Sequence, residues 1–262
     1  MIVAAFESCV GIDYSGSKTP ASRSAAIQVY RGSGGRSVRI VRPAASSAKQ
    51  PRNWCRREVA EWLIRTIRQQ RIVAGIDHGF SFPASYFRKY SLTCWHSFLD
   101  DFCHHWPTDR DDATVDSIRK AYAGPPDRMG GSREYRLTEQ WTSSAKSVFL
   151  FAVQGSVAKS TFAGLPWLKQ IRDQVGELVH FWPFDGWQPP EGKSVLAEVY
   201  PSVFRRRYPP RDRTVDQQDA FGVASWLADC DQRNLLDRYF EVPLTESERK
   251  LADLEGWILG VT

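Results

Sequence analysis

The sequence predicts one α/β domain with a mixed central sheet: an antiparallel three-strand meander, then parallel strands, with flanking helices and an irregular, partly helical insertion at about residues 80–140. Three observations lead there. Residues 8–41 break into short apolar runs separated by turn-forming residues. Residues 71–77, Arg-Ile-Val-Ala-Gly-Ile-Asp, are almost continuously apolar, as a strand buried on both faces is. Stretches with apolar residues at helical spacing alternate with such runs. At 262 residues, 42% hydrophobic and 13% aromatic, the chain is long enough to bury a sizeable core.

Ser8–Asp13 reads as the first strand: Cys9, Val10 and Ile12 are apolar, Asp13 ends the run, and Tyr-Ser-Gly-Ser follows as a turn. Residues 25–30 and 37–41 read as the second and third strands, joined by the glycine-rich segment 31–36. A polar connector, 44–53, leads to a helix over 54–70 with Val59, Trp62, Leu63 and Ile67 on one face and arginines on the other. The strand 71–77 repeats the Gly-Ile-Asp of the first. Residues 80–139 carry tryptophans, Pro pairs and acidic clusters without clear period, hence the insertion. Helical character resumes at 143–152, a loop is expected at 155–164 and a short helix at 168–175, followed by a strand at 178–183. Residues 194–200 form another strand, in which Glu198 is flanked by apolar residues before Pro201 closes the run. The chain ends in a helix, 246–253, and a short tail, Glu255-Gly-Trp-Ile.

The stretch 214–227 reads as a helix with two acids where apolar side chains belong. Ala220, Val223, Ala224 and Leu227 fall at i, i+3, i+4 and i+7 and form a core-directed stripe. Asp216 lies four residues before Ala220 and Asp219 four before Val223, so both extend that stripe, with Cβ atoms about 5–6 Å apart. Two like charges so close call for a cation beside them. Thr214 and Gln217 also form a capping box, in which Asp216 would only complement the helix dipole.

The formal charge is +5, and five arginines, Arg205, Arg206, Arg207, Arg211 and Arg213, fall within nine residues directly before this helix. Such a run is either a solvated loop or a contact for a phosphate backbone. Lys18, Arg136 and Lys146 are further phosphate contacts by charge alone, and a solvated surface role is expected for each. Residues 1–10 are apolar but too short for a signal peptide, and Glu7 interrupts them; no run approaches the roughly 20 residues that span a membrane. A cytoplasmic protein with no membrane partner is expected. Five scattered cysteines without a CxxC pattern imply reduced thiols. Cys94, His96, Cys103, His104 and His105 cluster, but their spacing matches no zinc pattern. Because Trp95, Phe98, Leu99, Phe102 and Trp106 interleave with them at helical spacing, buried thiols and helix-surface histidines are expected there.

Three apolar strands thus end in or near a carboxylate, at Asp13, Asp77 and Glu198, and a helix start adds Asp216 and Asp219. A single strand-end acid is commonly a turn former; five in this order can converge, since functional groups collect beside strand ends in a central sheet. Gly11-Ile-Asp13, Gly75-Ile-Asp77 and Asp216-x-x-Asp219-Ala220 resemble, in position and spacing, the metal-binding acids of RuvC-type resolvases and the wider ribonuclease H-like superfamily. With Ala197-Glu198-Val-Tyr200-Pro201 and Glu255-Gly256-Trp257, the chain looks more closely like the domain-of-unknown-function family of predicted RNase H-like nucleases. The resemblance spans nearly the whole chain, though its motifs are short. It implies a single ribonuclease H-like domain and a metal-dependent nuclease acting on DNA or RNA through two Mg²⁺ or Mn²⁺ ions about 3.5–4 Å apart. Asp13 would bridge the metals, with Asp77, Asp219 and Asp216 completing the shell. Glu198 departs from the simplest resolvase pattern and would be an extra ligand or a supporting acid. Hard oxygen donors suit such ions.

Two other classes stay open. Asp13-Tyr-Ser-Gly16-Ser-Lys18-Thr19 also resembles the first phosphate loop of the actin, sugar-kinase and chaperone ATPase superfamily, although those proteins need two copies of the core unit. A non-catalytic nucleic-acid-binding or adaptor module would use the arginine run and the tryptophans as its contact surface.

Overall fold

A computed structural model describes residues 5–33, 36–44, 52–122, 127–142, 144–153 and 156–262. Six strands form one mixed sheet: β1 (Ser8–Asp13), β2 (Gln28–Ser33), β3 (Arg36–Val41), β4 (Ile72–Ile76), β5 (Val179–Trp182) and β6 (Ser194–Glu198). Their spatial order is β3-β2-β1-β4-β6-β5. The β1–β2 and β2–β3 pairings are antiparallel, and the β1–β4, β4–β6 and β6–β5 pairings are parallel. The protein is therefore a mixed α/β structure. The tip glycines Gly34 and Gly35, and residues 45–51 of the expected connector, lie outside the described residues.

Helices cover both faces, and β1, β4 and β6 are buried at every position, as their mainly apolar sequences require. Alternation along each strand sorts the side chains. Val10, Ile12, Ala74, Ile76 and Leu196 join the core beneath α1 (Arg56–Gln69) and α6 (Ala158–Val175). Cys9, Val73, Val195 and Ala197 join the core beneath α7 (Val215–Gln232). The stripe expected on α7 is fully buried: Ala220, Val223, Ala224 and Leu227 are each 0% exposed.

The region after β4 holds α2 (Ala84–Lys89), α3 (Trp95–His105), α4 (Val115–Ala121) and α5 (Leu137–Trp141). Its aromatic residues do not form a satellite. Phe82 makes ring contacts with Phe98, Phe102, Phe149 and Phe162, so the insertion and α6 share one buried cluster with β1 and β4. Two expectations fail nearby. The described part of 143–152 forms turns rather than a helix, and α6 occupies most of the expected loop at 155–164, running through Pro166. Glycine and small polar residues disfavour that helix intrinsically, but they let it approach the sheet: a Cβ at Gly164 would lie 2.5 Å from His78 Nε2. Cys94, expected to be buried, is exposed, and Cys103 is half-buried; His96 and His104 are on the surface. The chain ends with α8 (Leu236–Phe240), which periodicity did not reveal, and α9 (Glu246–Glu255).

Candidate functional site

The repeated Gly-Ile-Asp has a steric meaning. A Cβ at Gly11 would sit 2.1 Å from the Ala220 carbonyl oxygen and 2.6 Å from the Ala224 nitrogen, so the α7 backbone rests directly on β1. At Gly75 it would meet Val199 and Val223 side chains at 2.6 and 2.8 Å. Two residues later the strand period returns to the same face, which carries Asp13 and Asp77 toward α7 at the carboxyl ends of adjacent parallel strands. The Asp77 amide donates to the Ile12 carbonyl at 2.9 Å and holds the two ends in register. The first turns of α7 then bring Asp216 and Asp219 to the same place, with Thr214 capping the helix by accepting from the Gln217 amide.

Four carboxylates of this group act on one another. Burial, and after it the charges of Asp77, Asp216 and Asp219, raises the Asp13 carboxyl far above the usual carboxylate range. Asp77 is raised as well, by burial and then by the charge of Asp219. Burial and Asp219 raise Asp216. Asp219 is held differently: Arg205 forks onto it, Nε to Oδ1 and Nη2 to Oδ2, both at 2.5 Å. Asp13, Asp77 and Asp216 line a cleft of about 680 Å³, whereas Asp219 and Arg205 are not part of its wall. Among the described residues, no three or more His, Cys, Asp or Glu side chains form a ready-made metal cage.

Glu198 lines the same cleft, together with Arg136 and Glu139, and its charge adds to the rise of Asp77. It pairs in register with Ile76, whose side chain faces α1 and α6, so it leaves the sheet on the face opposite Asp13 and Asp77 and reaches the cleft from there. Both of its oxygens receive the Arg136 guanidinium, at 2.6 and 2.7 Å, and Oε2 also accepts from the Phe80 amide at 2.9 Å. Arg136 further donates to Glu139 at 2.9 Å and to the Glu255 carbonyl at 3.3 Å. The surface role expected for Arg136 is therefore wrong: it is 1% exposed. Burial alone would lower its guanidinium, but Glu198 and Glu139 outweigh that and raise it. One sequence signal pointed here, since a glutamate inside an apolar strand requires a cation partner. Glu255, in turn, accepts from the Ala84 and Leu137 amides, both at 2.6 Å, and clips the insertion to the C-terminal tail.

The opposite wall of the cleft is polar. Ser15, Gly16 and Ser17 follow β1, and Ser144, Lys146, Ser156, Lys159 and Ser160 come from the segment before α6 and its first turn. Composition drew no attention to Arg56, which is 1% exposed and braces that loop from behind by donating to the Ser15, Ser17 and Lys18 carbonyls. Lys18 and Lys146 are exposed, as expected. Of the arginine run, Arg206, Arg207 and Arg211 are exposed, while Arg213 is half-buried, stacks 3.5 Å over the Phe221 ring and donates to Gln218. No helix among the described residues is long and apolar enough to cross a membrane. No protein-family model matches the chain, and neither a curated protein nor a solved structure matches it significantly.

Proposed function

We propose that the protein is a metal-dependent nuclease with a ribonuclease H-like fold, hydrolysing nucleic-acid phosphodiester bonds. The observation that carries this reading is the convergence of Asp13, Asp77 and Asp216, from two strand ends and one helix start, on a polar cleft, with Asp219 outside its wall but close enough for its charge to act on all three. Buried carboxylates that raise one another's proton affinity form a site short of positive charge. Hard oxygen donors in that state fit Mg²⁺ or Mn²⁺. Asp13, Asp77, Asp216 and Asp219 would hold the ions, Asp219 only after leaving Arg205. Two such ions, when bound, supply an activated water and charge stabilisation at the leaving oxygen. The antiparallel meander continued by parallel strands supports the fold assignment. Glu198, committed to Arg136, orients the strand end and anchors the insertion rather than ligating. The serine and lysine wall fits a phosphodiester backbone facing the acids, and exposed Arg206, Arg207 and Arg211 offer further phosphate contacts.

The test is cleavage of single-stranded, duplex and branched DNA and RNA with Mn²⁺ or Mg²⁺. Cleavage by the wild type that is lost in Asp13→Asn and Asp219→Asn supports the reading; equal cleavage by these variants removes the site. One observation favours a second reading, a non-catalytic nucleic-acid-binding module: Arg205 satisfies Asp219 without any metal. Nucleic-acid binding that is steep in salt, indifferent to Mn²⁺ and free of cleavage would select it.

A further inference from the structure

We infer that Arg205 is an internal counter-ion which a divalent cation must displace from Asp219, so that metal binding and release of this arginine are one exchange. The inference rests on the metal-site reading above and deepens it. Of the four aspartates, Asp219 is the one closed off from the cleft, and the Arg205 guanidinium forks onto both of its oxygens at 2.5 Å. The same guanidinium lies within electrostatic reach of Asp13 and Asp77, so it supplies positive charge where a cation would. The fork takes one lone pair on each Asp219 oxygen and sets a full positive charge against the carboxylate, so a divalent cation approaching the same oxygens competes with the arginine for them.

The surroundings confine the exchange to the side chain. Phe204, just before Arg205, is buried and stacked on Trp226 with ring centroids 4.1 Å apart. Gln218, itself buried, donates to the Arg205 and Tyr208 carbonyls at 3.2 and 2.7 Å and ties the Arg205 backbone to α7. The Arg205 side chain, by contrast, is 43% exposed against 8% for Asp219. It can swing into solvent on a fixed backbone, and there it joins Arg206 and Arg207 as a cation available to the substrate's phosphates. Metal binding would thereby create a nucleic-acid contact.

Two variants, Arg205→Gln and Arg205→Lys, test this by calorimetric titration of the purified protein with Mn²⁺ and by thermal unfolding in EDTA. Arg205→Gln should bind Mn²⁺ about fivefold more tightly, the change expected from removing a part-exposed ion pair that competes with the metal. It should also melt lower than wild type in EDTA, with the gap closing at saturating Mn²⁺. Arg205→Lys, which keeps the charge but loses the fork, should fall between the two. An Arg205→Gln protein whose Mn²⁺ affinity equals that of wild type, or is weaker, overturns the exchange while leaving the metal site standing. A wild type that binds no Mn²⁺ overturns the metal-site reading, and the exchange with it.

Discussion

Asp13 and Asp77 carry the sharpest consequences for single side chains. Replacing either by Asn should remove Mn²⁺-dependent cleavage by two orders of magnitude or more, roughly the cost of losing one charge-stabilising group in an active site. The same variants should be no less stable than wild type in EDTA, because they relieve the repulsion that raises both carboxyls. The pH dependence has a definite sign. Both folded-state values lie above the unfolded carboxylate range, so the folded protein holds protons that the unfolded chain releases, and metal-free stability falls as pH climbs toward the raised values. His78 works oppositely: burial lowers it from 6.5 to about 4, so below 6.5 the unfolded chain binds the proton first and stability falls with acidity. The two effects separate well above pH 6.5, where the histidine is neutral in both states. Denaturant midpoints in EDTA should therefore decline from neutral to mildly alkaline pH, and the decline should flatten in Asp13→Asn. A wild-type slope unchanged by that substitution would contradict the coupling of these acids.

At the scale of elements, the site depends on how closely α7 lies on β1. Gly11→Ala would press a methyl into the Ala220 carbonyl, and backbone on both sides leaves nowhere for it to go. Overpacking of this kind costs about 1–3 kcal/mol, and the displaced helix should move Asp219 away from Asp13. Reduced Mn²⁺ affinity beyond the stability loss, measured on the folded fraction, is the expected signature. The insertion is tied to β6 by one buried ion pair. Arg136→Ala leaves Glu198 and Glu139 without their cation and should cost about 3–5 kcal/mol in denaturant unfolding. Arg136→Met combined with Glu198→Gln should recover part of that loss, because no charge then stays unpaired at Glu198.

For the whole molecule, the clips from Glu198 to Arg136, from Glu255 to Ala84 and Leu137, and from the Ile258 amide to Thr138 join insertion, sheet and tail, which should then open together. Hydrogen exchange should show α3 and α6 protected together with β4, since their aromatic residues share its core. Early exchange across α3 alone would show an independently opening insertion. Binding of single-stranded DNA or RNA should be steep in salt, and Arg206→Gln with Arg207→Gln should lower the slope by about 0.7 for each phosphate no longer neutralised. A slope unchanged in the double variant would remove these arginines from the interface.

Much of the frame was legible in sequence because local rules decide it. Continuous apolar runs required strands buried on both faces, i, i+3, i+4 spacing marked α1 and α7, and Thr214 with Gln217 marked the α7 start. Each of Asp13, Asp77, Asp216 and Asp219 could be named from its place at the end of such an element. Other features depended on partners distant in the chain. The helix through Gly164 and Pro166 contradicts local propensity and exists because small residues allow a close approach to His78. The side of the sheet that Glu198 faces follows from its pairing with Ile76, which an unbroken apolar run does not disclose. Arg136 was read as surface and is core because that buried glutamate needed a cation. By itself, then, the sequence determined the elements and the acids they carry, since both follow from side-chain periodicity. Tertiary structure alone decided which acids face one another and which are matched by an arginine, because strand register and helix approach set those distances.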